Sequence, residues 1–223
     1  MLVTSYAVPL TITSEEAVAA SIAKDVSQSH WASSSITHML DKHYMTNDEN
    51  GYFRPEQPIT RAEAAAAIAR SMQLKFDSSF SPDFTDLSDN HPYYKEICAL
   101  VERGVLQNGD YFYPDTPLKR MHITKLLTLA YKIEVDSENT SKFNDVTEGH
   151  WAKDYIESLA DVGVIKGING QQFGPNQLVT RAQFASLVER SLDFSSKVTN
   201  YEITYDYLSK SYMSTKKLFI VYV

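Results

Sequence analysis

"FNDVTEGHWAKDYIESLADVGV" (residues 143–164), followed at 171–192 by "QQFGPNQLVTRAQFASLVERSL", decides the fold. In the first segment Trp151, Tyr155, Ile156, Leu159 and Val162 recur at three- and four-residue spacings, which predicts an amphipathic helix. Gly163 follows as its left-handed stop. In the second segment Phe173 and Pro175 sit in a turn-rich loop. A new helix opens at Thr180, with Phe184, Leu187, Val188 and Leu192 on its apolar side. The stretch reads as helix, loop, helix, with the loop pinned by a buried phenylalanine.

The pattern occurs twice more upstream. "KDVSQSHWASSSI" begins at Lys24 and "GYFRPEQPITRAEAAAAIARSM" at Gly51; "FTDLSDNHPYYKEI" begins at Phe84 and "DYFYPDTPLKRMHITKLLTLAY" at Asp110. Asp25, Asp86 and Asp145 are 61 and 59 residues apart, and Arg61, Arg120 and Arg181 are 59 and 61 apart. A two-residue shortening in the middle of copy two accounts for both intervals. The copies span 24–76, 80–133 and 139–194, flanked by a leader (1–23) and a tail (195–223). A helix pair of about 60 residues cannot close its own core, so an all-α fold is expected, with the three copies packed around a pseudo-threefold axis. Gly104 and Gly163 end the first helices of copies two and three; His43 stands there in copy one and predicts a different ending.

Composition bounds the function. Hydrophobic residues at 43% permit a sizeable core, and the net charge of -7 argues against nucleic acid or an anionic membrane as a general partner. Cys98, inside "YYKEICALVERGV", reads as a buried helical thiol rather than a nucleophile. No stretch reaches the ~18–20 apolar residues that span a membrane, and the terminal "LFIVYV" is far too short. The start, through "AVAA", is either the back half of an export signal or a frayed leader, since no Lys or Arg precedes Lys24.

"TRAE" at 60–63 carries the chemistry. Thr60 and Glu63 form the pattern of a capping box, as do Thr180 and Gln183, each cap contributing about 1 kcal/mol. Arginine is out of place there: a cation in a first turn is unfavourable by roughly 0.3–1 kcal/mol. It nevertheless recurs as Arg61, Arg120 and Arg181. In copy two Lys119 replaces the threonine and His122 the glutamate, yet Arg120 remains. A bound anion meeting both the guanidinium and the first-turn amides would explain this. The competing reading is a salt bridge from Arg61 to Asp25 or, in the neighbouring copy, Asp86. His30, His91 and His150 read as helix-start hydrogen-bonding groups, because none stands at metal-ligand spacing; no metal and no cofactor is expected.

With "DVxxxHWA" and "F-x-P…TRA" in copies one and three, the chain resembles the S-layer homology (SLH) family over residues 24 to 194. The resemblance implies an all-helical, three-pronged assembly in which one helix per repeat builds a central bundle. It implies an extracellular location in the bacterial cell wall or S-layer, where the module holds exported proteins noncovalently to secondary cell wall polysaccharide, often through pyruvylated amino sugars. The ligand then lies in grooves between prongs, met by Arg61, Arg181 and the matching Arg120, with Asp25, Asp86, Asp145, Trp31 and Trp151 as acidic and aromatic neighbours. Trp31 and Trp151 have two readings, core packing or a sugar-stacking wall. Copy two departs from the pattern: Tyr93 or Pro92 stands near the tryptophan position, and its groove has either lost the ligand or uses Lys119 with Arg120 as a more cationic site.

Two other classes compete. A glycan-cleaving enzyme is disfavoured, because the chain offers no nucleophile motif or metal cluster. An interaction or S-layer assembly scaffold, contacting other surface-layer proteins, is the alternative. For that reading the tyrosine-rich tail 195–223 is a strand-forming segment, the stub of a further domain or a disordered piece, ending in an aggregation-prone run.

Overall fold

The computed structural model describes residues 23–137 and 142–211. The leader 1–22 and the terminal "LFIVYV" lie outside the described residues. Six helices are described: α1 Ser33–Asp41, α2 Arg61–Ser71, α3 Tyr94–Glu102, α4 Arg120–Tyr131, α5 Lys153–Asp161 and α6 Arg181–Ser211. They form one short and one longer helix per copy. β-Structure among the described residues is confined to isolated bridges, such as Pro58 with Thr180 and Thr60 with Pro117. The architecture is all-helical, as the periodicity predicts.

The short helices start without a side-chain N-cap. A histidine supplies the missing acceptor two residues ahead. Nδ1 of His30, His91 and His150 accepts from the amides of Ala32, Tyr93 and Ala152 at 3.1–3.2 Å. Tyr93 therefore takes the place of Ala32 and Ala152, and Pro92 occupies the tryptophan position. The short helices end in a left-handed residue: Gly104 (φ 71), Gly163 (φ 75) and also His43 (φ 55). Copy one thus ends as the others do. The Tyr44 and Val105 amides reach back to Met39 O and Leu100 O, a 6→1 closure that satisfies orphan carbonyls and holds His43 in an otherwise unfavourable conformation.

Each loop is tied down by an aspartate. Asp25 accepts from the amides of Phe53 and Arg54, Asp86 from Phe112 and Tyr113, and Asp145 from Phe173 and Gly174, all at 2.7–2.8 Å. The phenylalanine amide and the left-handed residue after it (φ 58, 58 and 74) thereby point at one carboxylate. Phe53, Phe112 and Phe173 are fully buried, as the loop pattern predicts.

The chain divides into two compact units. The first comprises the chain to Arg120 together with Asn176–Glu189, so it contains copies one and most of two and the opening of α6. Its core holds Ile36, Met39, Phe53, Ile59, Ile68, Ile97, Leu100, Phe112, Leu118, Val179, Phe184 and Val188. Ala64 to Ala67 are buried on every side of α2, and their small side chains allow close approach. Ile59, Leu118 and Val179, one from each copy, close a ring of main-chain hydrogen bonds: Ile59 N to Val179 O at 2.9 Å, Val179 N to Leu118 O at 3.0 Å and Leu118 N to Ile59 O at 3.0 Å.

The second unit, Met121–Pro175 with the chain from Arg190, packs Ile123, Leu127, Ile133, Phe143, Val146, Ile156, Leu159 and Phe173. Lys153 and Glu157 are buried there as a pair at 3.3 Å, with Glu157 also accepting from the Lys142 amide. Leu129 of α4 is exposed. The long helices of copies one and two stop at left-handed Gln73 and Lys132. In copy three the helix runs on to Ser211, so the first part of the tail is helical rather than a strand or a coil.

Candidate functional site

The three motif arginines open α2, α4 and α6, and their surroundings differ. The first-turn amides are not open to a ligand. Arg61 N and Ala62 N donate to Thr116 O and Pro114 O of copy two, and Arg181 N and Ala182 N donate to Gln57 O and Pro55 O of copy one. Arg120 N donates to Gln177 O of copy three and Met121 N to Pro175 O. Each long helix is capped by the loop of the next copy in cyclic order. The anion site expected from free amides is therefore reduced to the guanidinium groups.

Arg181 is buried, at 7% exposure. Its Nε donates to Phe53 O at 2.7 Å, Nη1 to Glu63 Oε1 at 2.5 Å and Nη2 to Thr46 O at 2.8 Å. The guanidinium also lies 4.7 Å from the Phe53 ring centroid. Glu63 serves two helices at once. Its other oxygen accepts from Thr60 N, while Thr60 Oγ1 accepts from Glu63 N, the reciprocal box. Thr180 and Gln183 repeat that exchange at 3.3 Å. Alongside, Arg70 pairs with Glu96 at 2.7 Å and covers the Tyr93 ring at 5.4 Å. The cleft lined by Tyr44, Thr46, Glu63, Arg70, Tyr93 and Arg181 keeps only about 10 Å³, room for one water. Its cations are already matched by carboxylates.

Arg61 repeats part of this. Its Nε donates to Phe112 O at 2.8 Å, and its guanidinium lies 4.9 Å from the Phe112 ring. It remains partly exposed, and its two Nη groups have no hydrogen-bond partner among the described residues. Burial pushes the guanidinium pKa down, and the charge of Asp86 offsets part of that. The residue matching Glu63 in the next copy is His122, which supplies no carboxylate. A partly buried guanidinium with free Nη donors has the chemistry to pair with a carboxylate or another anion. Lys119, next to Arg120, is also partly exposed.

The predicted acids and aromatics separate. Asp25, Asp86 and Asp145 are engaged by loop amides, a clamp that spacing alone does not distinguish from a ligand contact. Trp31 and Trp151 are surface residues, 62% and 50% exposed, so neither is a core aromatic. Trp151 stacks with His122 (5.7 Å) and with His150 (6.1 Å), and Trp31 lies against His30 at 5.7 Å. Glu63 as the arginine's partner, and the Phe53 and Phe112 carbonyls as anchors, are contacts that sequence reasoning misses. The recurrent phenylalanine was their only signal. Cys98 is buried, and desolvation raises its pKa away from nucleophilic use. No group of three or more His, Cys, Asp or Glu among the described residues could hold a metal. No helix among them is long and apolar enough to cross a membrane.

Comparison with known proteins agrees with this architecture. The family model for the S-layer homology domain matches residues 24–65, 83–124 and 142–185, more than half of the chain. An S-layer protein of Bacillus thuringiensis subsp. finitimus is 30% identical over 182 residues, covering 80% of this chain and 22% of its own length. The S-layer protein sap of Bacillus anthracis is 31% identical over 183 residues, covering 81% and 22%. A cellulosome-anchoring protein of Acetivibrio thermocellus is 35% identical over 154 residues, covering 64% and 34%. The chain thus spans about a fifth to a third of these relatives. Three matched copies, each built as a histidine-started helix, an aspartate-clamped loop and an arginine-opened helix, place it: the chain belongs to the S-layer homology domain family.

Proposed function

We propose that this chain is a non-enzymatic cell-surface anchor, which binds an acidic secondary cell wall polysaccharide carrying pyruvylated amino sugars and so holds an exported protein to the bacterial wall. The observation that carries this reading is Arg61: its guanidinium is partly desolvated, fixed by the Phe112 carbonyl and left with two unmatched Nη groups. A pyruvate ketal presents one carboxylate, which fits that fork. The surface-layer and cellulosome-anchoring relatives support the anchoring role. The exposed Trp31 and Trp151 supply faces on which sugar rings can stack, and Lys119 with Arg120 adds cationic character to copy two. Weak single sites suffice, because many chains in one layer raise the effective concentration.

Arg181, by contrast, already has a carboxylate partner and acts as a structural staple. Calorimetric titration of the full chain with wall polysaccharide, before and after removal of the pyruvate ketals, tests the reading. Binding heat is expected to disappear on ketal removal and to fall about tenfold or more in affinity in Arg61→Ala. Undiminished binding after both changes rejects the acid-recognition mechanism.

A further inference from the structure

The loop of copy two carries a feature absent from the other two. Tyr111 and Tyr113 flank the buried Phe112, are 57% and 58% exposed, and stack with centroids 5.6 Å apart and planes 21° from parallel. Copy one has Tyr52 and Arg54 at these positions, and copy three has Gln172 and Gly174. Tyr113 also sits at φ 58, where a bulky aromatic is unfavourable and where copy three uses glycine.

The backbone that carries the pair is held in place. Asp86 grips the Phe112 and Tyr113 amides at 2.7 Å, and the Thr85 amide and hydroxyl both donate to Asp110 O at 2.8 and 2.9 Å. Asn108 and Asp83 exchange two further hydrogen bonds at the loop entrance. A platform fixed in this way loses little conformational entropy on binding.

We propose that Tyr111 and Tyr113 form a second carbohydrate site, a stacking platform for neutral pyranose units. The negative π faces attract the C–H groups on one face of a sugar ring. The exposed carboxylates of Asp110 and Asp115 accept hydrogen bonds from hydroxyls and disfavour an anionic sugar. Arg61, whose Nε donates to the Phe112 carbonyl, is not part of the tyrosine platform. Two tyrosine rings cover far less than the ~800 Å² per partner of a stable protein interface, so the occupant is a sugar and not a protein. The site is independent of the acid-recognition reading.

The test titrates the full chain with neutral tetrasaccharides of N-acetylglucosamine and of glucose, following heat and the tyrosine ring resonances. The double variant Tyr111→Ala/Tyr113→Gly removes both rings and gives position 113 the glycine of copy three; circular dichroism checks that it folds. Wild type and Arg61→Ala are expected to bind at least one tetrasaccharide equally, and the double variant about tenfold more weakly or not at all. Three outcomes overturn the proposal: no binding to either sugar by wild type, equal binding by the folded double variant, or loss of binding in Arg61→Ala alone. Self-association of wild type in sedimentation, abolished in the double variant, would assign the pair to a protein contact and overturn it too.

Discussion

At the scale of the residue, one motif position has two different surroundings. Arg181 and Arg61 both donate Nε to a buried phenylalanine carbonyl, but of the two only Arg181 is hydrogen-bonded to a carboxylate. Arg181→Ala leaves Phe53 O and Thr46 O without donors and half of Glu63 without its cation, and is expected to destabilise by about 2–4 kcal/mol. Arg61→Ala removes one such bond and is expected to cost about 1 kcal/mol. Urea unfolding of both variants checks this; equal midpoints would remove the distinction between staple and receptor. The recurrence of arginine was legible in the sequence, and so was the change from Glu63 to His122. What stayed hidden was the partner. The Arg181 fork meets residues 118 to 135 positions away, and no local pattern encodes that. For the same reason Asp25, Asp86 and Asp145 looked like ligand groups, although each clamps a loop 26–29 residues further on.

At the scale of the element, helix ends are set by single left-handed residues. Gly163 (φ 75) would place a Cβ in open space, whereas a Cβ on Gly167 (φ 72) would lie 2.6 Å from Phe143 Cε1 and 2.8 Å from Gln172 O. Gly163→Ala is therefore expected to cost about 1 kcal/mol, from backbone strain alone. Gly167→Ala must also displace a core ring or the loop backbone and is expected to cost about 3 kcal/mol or more. Thermal unfolding of the two variants separates these terms, and equal losses would show that the Phe143 contact yields freely. His43 tests the same rule in reverse. Because it already sits at φ 55, His43→Gly is expected to raise stability by up to about 1 kcal/mol, measured as a higher denaturant midpoint. The sequence marked the two glycine stops correctly and misjudged His43, since the 6→1 closure from Tyr44 to Met39 imposes the turn whatever side chain stands there. It also missed the run of α6 through Ser211. In copy three Asp193 continues the helix where Gln73 and Lys132 end theirs.

At the scale of the whole molecule, the copies depend on one another for main-chain hydrogen bonds. The ring of Ile59, Leu118 and Val179 is buried, and each member donates to one neighbour and accepts from the other. A chain ending at Pro175 loses Val179, Arg181 and α6. It leaves Ile59 N and Leu118 O unsatisfied, at about 1–3 kcal/mol each, besides exposing the faces that Phe184 and Val188 cover. Such a chain is expected to lose its cooperative unfolding transition, followed by circular dichroism in urea. A sharp transition at the full chain's midpoint would show that Val179, Arg181 and α6 are dispensable.

The sequence by itself determined the helical class, the three copies, the buried loop phenylalanines, the capping boxes and the family, because periodicity, turn chemistry and local hydrogen bonds are short-range and each copy repeats them. Only the tertiary structure decided which arginine is satisfied, that the first-turn amides are closed by a neighbouring copy, that the aspartates hold loops, and that the tryptophans face solvent. Those outcomes depend on carbonyls, carboxylates and exposed surface brought together from distant parts of the chain, where sequence spacing carries no distance.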